Sequence, residues 1–172
     1  MVGVKIPTNF IKEKTMDPFY KLVPNAPQKT LFDIMRNRCH GPATLAIHGT
    51  TKTNITTVAF NFEIGGRMLS KAAVTAGTAV AGGTIAAGRA ALLAMLINAS
   101  GTFSFQLGDS VAAADVALTE LPEFANTLCC VGAVKIVNGT ASVFTLGTTA
   151  LDATDVTTTY YNFGNVLPGE VI

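Results

Sequence analysis

The chain has 172 residues and a formal net charge of +1; 49% of it is apolar and only 13% is charged, against about 25% charged in ordinary globular proteins. Its 16 Gly, 24 Ala and 23 Thr together exceed a third of the residues. Disordered and nucleic-acid-coating chains, which are rich in charge and poor in apolar residues, are excluded. What remains is a surface of Thr, Ser, Asn, Gly and small apolar groups, suited to β-structure and to assemblies whose faces are covered by neighbours.

The small net charge conceals an asymmetry. Residues 1–52 carry eight Lys/Arg against three acids, and the remainder carries four against eight, so a +5 stretch containing a basic arm is joined to a −4 remainder. Such an arm is expected to meet an anionic surface or the acidic body of a neighbouring copy. Pro7, Pro18, Pro24 and Pro27 punctuate it, which predicts extended backbone. Phe10, Ile11, Phe19, Tyr20, Leu22 and Val23 are interspersed as apolar anchors, more than a free spacer needs. Thr30 is placed to cap a helix, with Asp33 in its first turn, Leu31, Ile34, Met35 and Arg38 at helical spacing, and Gly41-Pro42 as the stop. A short helix over residues 31–39 is predicted. The arm is taken as residues 1–42 and the body as residues 43–172.

From residue 43 the pattern is strand-like. Thr44-Leu45-Ala46-Ile47-His48 alternates, and so does the run over residues 56–64, where Val58, Phe60, Phe62 and Ile64 are expected on one face. Gly65-Gly66 predicts a tight hairpin into Arg67-Met68-Leu69-Ser70-Lys71. The Gly- and Ala-rich residues 72–91 read as strand and loop, because glycines inside a helix each cost about 1 kcal/mol relative to Ala. A hairpin is expected around Asn98-Ala99-Ser100-Gly101, joining residues 92–97 to 102–107. A further one is expected at Asn138-Gly139, joining residues 128–137 to 141–146. A short helix is expected over 112–121, before Pro122, and a last strand over 156–163. The fold class is therefore all-β, an antiparallel β-sandwich or jelly-roll-like body with an extended N-terminal arm and one short helix.

Candidate chemistry is sparse. The run Gly83-Thr84-Ile85-Ala86-Ala87-Gly88-Arg89-Ala90 has the outer glycines of a phosphate loop but places Arg89 and Ala90 where the loop needs Lys and Ser or Thr. Cys39, His40 and His48 are three soft ligands where structural zinc takes four, and Cys129-Cys130 lies far away in sequence, its side chains on opposite strand faces. One of the vicinal cysteines is expected to pack in the core, and three cysteines in all read as free thiols of a reducing compartment. Asp152 and Asp155 read as turn residues. Asn54-Ile55-Thr56, Asn98-Ala99-Ser100 and Asn138-Gly139-Thr140 match glycosylation sequons, which have no use in a chain without a secretory signal. No signal peptide is visible, and the longest apolar stretch, residues 90–97, is far short of the roughly twenty residues that cross a bilayer. No enzyme activity, cofactor or metal is expected, and neither nucleic acid nor membrane is expected as a partner.

The order of residues carries a resemblance. Phe60-Asn61-Phe62-Glu63-Ile64-Gly65-Gly66-Arg67-Met68-Leu69-Ser70-Lys71-Ala72 resembles the "strand, GG, strand, SKA" opening of tailed-bacteriophage capsid decoration proteins, the cement and head-fibre structural proteins of virions. Leu121-Pro122 followed by Val131-Gly132-Ala133-Val134-Lys135-Ile136-Val137 resembles their middle segment. Phe144-Thr145-Leu146-Gly147-Thr148-Thr149-Ala150-Leu151-Asp152-Ala153, then Val156-Thr157-Thr158-Thr159-Tyr160, resembles their ending. The resemblance spans roughly residues 56–163 and leaves out the arm. It implies a non-enzymatic virion protein, made in the host cytoplasm, commonly a homotrimer, that binds the major capsid protein on the capsid exterior and reinforces the head.

On that reading the arm clasps the head. Phe10, Phe19, Tyr20, Leu31, Phe32 and Met35 would be buried anchors, with Lys12, Lys14, Arg36 and Arg38 supplying steering and register. A tail or fibre position is the alternative, and a small intracellular ligand-binding barrel using the Gly-rich stretch is a third.

Overall fold

Two adjacent glycines make the tightest local feature of the chain. Gly65 and Gly66 have φ of +57° and +80°, the left-handed pair that a two-residue hairpin of matching twist demands. They join β4 (Phe60–Ile64) to β5 (Arg67–Lys71) in the expected register, Ile64 opposite Arg67 and Phe60 opposite Lys71. The computed structural model describes residues 37–139 and 141–164, and every strand pairing among them is antiparallel. The all-β class therefore holds for the body. The arm up to Arg36 lies outside the described residues.

Among the described residues, four sheets enclose the core. The first is β1 (Arg38–Cys39), β4 and β5 in that order. The second is β2 (Ala46–Ile47), β3 (Asn54–Thr57) and β6 (Val74–Ala79). A two-stranded piece pairs β7 (Thr84–Ile85) with β12 (Phe144–Thr145). The main sheet runs β10 (Val111–Ala112), β8 (Arg89–Asn98), β11 (Leu128–Asn138) and β13 (Val156–Asn162), with β9 (Phe103–Leu107) also on β8. No helix among the described residues is long and apolar enough to cross a membrane.

The strand pair β8–β11 is the partition of the molecule. Ala91, Leu93, Met95 and Ile97 on one face of β8 join Phe60, Phe62, Ile55, Ile85, Phe144 and Leu151 in the larger core, while Leu92, Ala94 and Leu96 face a smaller cluster with Cys130, Ala133 and Phe163. Burial on both faces is why this stretch is apolar at every position instead of alternating. In β11 the larger core takes Cys129 and Val131, then Val134 and Ile136. A register shift between Cys130 and Gly132 changes the parity. Without this bulge, Val134 and Ile136 would turn to the other face. Gly132 beside it has no room for a side chain: a Cβ would meet the Tyr161 carbonyl and lie 2.7 Å from Leu45 Cδ1.

Several expectations change. The single strand over residues 56–64 is two strands, interrupted where the Val58 amide donates to Ala43 O at 2.8 Å and the chain passes between sheets. Val58, expected beside Phe60 and Phe62, is consequently 44% exposed. The strand over 44–48 shortens to Ala46–Ile47, since Thr44 sits at φ +49°. The helix expected over residues 31–39 does not reach its C-terminal end: Arg38–Cys39 is a strand paired with Glu63 and Phe62, while residues 31–36 lie outside the described residues. The body thus starts before residue 43. The second short helix is a 3₁₀ segment, Ala113–Leu118.

The Asn98 turn forms as expected. Its Oδ1 accepts from the amides of Ser100 at 3.0 Å and Thr102 at 2.9 Å, and Gly101 takes φ +79°. Asn138-Gly139, by contrast, makes no hairpin to residues 141–146. The free edge of β11 is occupied by β13, with Asn138 opposite Val156, and Phe144–Thr145 pairs with β7 instead.

Candidate functional site

The charge asymmetry directs attention to the root of the basic arm, where the described chain begins. Asn37 is buried and makes three links across the fold. Its Nδ2 donates to Asn126 O at 2.5 Å and Leu128 O at 3.1 Å, and its Oδ1 accepts from the Gly65 amide at 2.9 Å. One side chain thereby ties the arm to both the β4–β5 turn and the start of β11. Such a buried amide, with both ends engaged, fixes the chain at that point.

Next along β1 the side chains alternate. Arg38 points outward, its side chain 60% exposed, with Nε 3.5 Å from Glu63 Oε2. Cys39 points inward, its Sγ 3.8 Å from Cys129 Sγ and 3.8 Å from the Cys130 carbonyl oxygen. His40 leaves the strand with its backbone amide on Asn61 O at 2.9 Å and its Nε2 3.0 Å from the same Glu63 oxygen. Glu63 is thus shared by Arg38 and His40. The Arg38 end of this cluster is exposed and contributes at most about 1 kcal/mol, so its role here is orientation.

Of the residues expected to bind a partner, Arg38 alone is described, and its guanidinium stands on the surface beside Glu63. Phe10, Lys12, Lys14, Phe19, Tyr20, Leu31, Phe32, Met35 and Arg36 lie outside the described residues. Asn37 and Glu63 carried no signal in the sequence, because each acts across separations of 23 to 91 residues.

The other candidates are dispersed. Cys39 and His40 face opposite ways, and the His48 Nδ1 accepts the Thr51 amide at 2.9 Å within its own loop. Among the described residues no three His, Cys, Asp or Glu converge as a metal site would require. The Gly83–Gly88 stretch enters no helix: Thr84–Ile85 is a strand, Ile85 is fully buried, and Arg89 donates to Ser110 Oγ at 3.0 Å. A phosphate loop needs amides converging at a helix start, which this stretch does not provide. All three cysteines, not one, are buried as free thiols, Cys129 in the larger core and Cys130 in the smaller. The Cys129 thiol, hydrogen-bonded to Cys39 and buried, is held far above the usual thiol range, and burial also pushes Cys130 up.

The motif-like ending forms core and turn. Leu151 is buried and its amide donates to Lys52 O at 2.9 Å, while Asp152 pairs with Lys52 Nζ at 3.2 Å. Asp155 accepts the Ala141 amide at 2.9 Å through Oδ2. In the same segment the Thr149 hydroxyl accepts the Thr145 amide at 3.0 Å. Comparison with protein-family models, with curated proteins and with solved structures finds no match to this chain.

Proposed function

We propose that the chain is a bacteriophage virion structural protein, a trimeric capsid decoration or cement protein whose body stands on the outer surface of the head. The observation that carries this reading is the anchored arm root. A basic, proline-punctuated arm with aromatic anchors leaves the body at Asn37, which is locked to Asn126, Leu128 and Gly65. A fixed origin lowers the conformational cost of docking such an arm and sets the body's position relative to it.

The body supports the reading too. Its outward strand positions are largely uncharged, as in β13, where Thr157 and Thr159 are exposed. Neutral, small side chains of this sort allow close approach of identical copies at little desolvation cost. The turns and core positions built by Gly65-Gly66 and by Leu151-Asp152 are those on which the resemblance to decoration proteins rests.

The test is binding of the full chain to undecorated heads, compared with a variant lacking residues 1–35, which keeps Asn37 and β1. The truncated protein is expected to retain its circular dichroism and lose head binding. Undiminished binding would refute the role of the arm. Labelling on intact particles at a tail or fibre, and not on the head, would refute the capsid position. A particle-mass measurement of the purified chain checks the trimer.

A further inference from the structure

We propose that Cys39 and Cys129 are a specific oxidation site, and that the pair closes into one intramolecular disulfide when the folded chain meets a small-molecule disulfide oxidant such as glutathione disulfide. The inference does not rest on the capsid reading; it rests on where the sulfurs are. The two Sγ atoms are 3.8 Å apart, in contact, on strands of different sheets and 90 residues apart in sequence. A disulfide needs them at about 2.05 Å, a closing of less than 2 Å shared between two short side chains.

The third cysteine is excluded by the strand. Cys130 follows Cys129 in β11 and faces the smaller cluster, its Sγ 3.6 Å from the Gly132 carbonyl oxygen. Successive strand residues point to opposite faces, so neither Cys129–Cys130 nor Cys39–Cys130 closes without dismantling β11. The specificity is geometric and belongs to the folded state.

The chemistry balances in two exchanges. A thiolate of the pair attacks the oxidant and displaces one glutathione thiolate, giving a mixed disulfide; the second protein thiol loses its proton and attacks that sulfur, expelling the second glutathione. Two protein thiols plus one glutathione disulfide become one protein disulfide plus two glutathione thiols. Cys39 is the entry point, because β1 has two residues and, among the described residues, hydrogen-bonds as a strand to β4 alone. Opening β1 brings the Cys39 thiol to solvent, whereas Cys129 lies within the central strand pair. The raised thiol pKa values at Cys129 and Cys130 make the reaction slow while the fold is closed.

The product joins residue 39 to residue 129 covalently, which staples the first described strand to the centre of the main sheet. The cytosolic glutathione pool keeps such thiols reduced, and the bond forms where that pool is lost.

The experiment uses the reduced full-length chain, incubated at pH 8 with glutathione disulfide, then denatured in N-ethylmaleimide and weighed intact and as peptides. The expected result is one maleimide adduct, on Cys130, with a linked peptide pair containing Cys39 and Cys129. A Cys130→Ala variant is expected to give the same link with no adduct. The melting temperature is expected to rise by roughly 10 °C, reversibly with dithiothreitol. Three adducts after oxidation, stable glutathione adducts, a link between chains, or the same mixture of pairings that denatured chain gives would each overturn the proposal.

Discussion

Asn138 is the most informative single position in the body. It is 3% exposed, and its Nδ2 donates to Ile85 O at 3.0 Å, Ala86 O at 3.1 Å and Ser142 O at 2.8 Å. Two hydrogens serve three carbonyls, so one bond is shared. Asn138→Ala removes about two net hydrogen bonds, each contributing about 1 kcal/mol, and leaves carbonyls unpaired at a further 1–3 kcal/mol or so if water does not enter. The expected loss is about 2–5 kcal/mol, or roughly 4–20 °C in Tm for a chain of this size.

Asn138→Asp separates this clamp from the turn role that Asn-Gly ordinarily has. In a tight hairpin Asp-Gly is nearly as good as Asn-Gly. Here the substituted oxygen would face three carbonyl oxygens and could donate to them only when protonated. Asp is therefore expected to cost more than Ala at pH 7. The folded state would hold the Asp proton above the unfolded carboxyl pKa of about 3.9, so the deficit shrinks as pH falls towards 4. Urea unfolding followed by circular dichroism, with the slope m checked for constancy, measures both variants. A loss below about 0.5 kcal/mol for Ala, or an Asp variant more stable than the Ala variant at pH 7, would refute the reasoning.

Four further outcomes are expected. Under reducing conditions, the native state holds the Cys129 and Cys130 protons to higher pH than the unfolded chain does. Stability is accordingly full below about pH 8.5 and falls above it, by up to about 1.4 kcal/mol per pH unit per thiol; Cys130→Ala should flatten the fall in Tm measured between pH 8 and 9.5, and an unchanged slope would contradict the assignment. Gly132→Ala, placing a Cβ against the Tyr161 carbonyl and Leu45, should cost about 1–3 kcal/mol in urea unfolding. Val58→Ser should change stability by less than about 0.5 kcal/mol while Phe62→Ala costs about 3–5 kcal/mol, whereas equal costs would restore the single-strand reading. Thr57 Oγ1 is buried with no partner among the described residues, so Thr57→Val should be neutral or stabilising by about 1 kcal/mol in the same assay.

The parts of the fold legible in the sequence are those closed by neighbours along the chain. Gly65-Gly66 supplies the left-handed backbone that its own hairpin needs, and the Asn98 loop satisfies its amides within four residues, so the local sequence places both. Asn138-Gly139 has the same local signal, yet it loses to a long-range competitor, because β13 reaches the edge of β11 first in space if not in sequence. Val58 kept the alternation of Phe60 and Phe62 but not their face, since the Ala43 carbonyl draws its amide into another sheet. At the arm root, the helical spacing of Ile34, Met35 and Arg38 says nothing of the Cys39 contact with Cys129, which lies on a strand 90 residues away.

The partition strands have a consequence for the order in which the chain can assemble. Among the described residues, the side of the larger core built before residue 89 lacks its facing wall until β8 exists, and β8 lacks its long partner until β11 is made, from Leu128↔Asn98 to Val137↔Ala90. Asn37, Cys39 and Leu45 each have a partner on or beside β11. During synthesis β1 and the strands of the first two sheets therefore leave the ribosome well before β11 does, and joining Cys39 to Cys129 closes a loop of 90 residues, the kind of long-range contact that slows folding. The strands that precede β8 are thus made well before the full set of their partners exists.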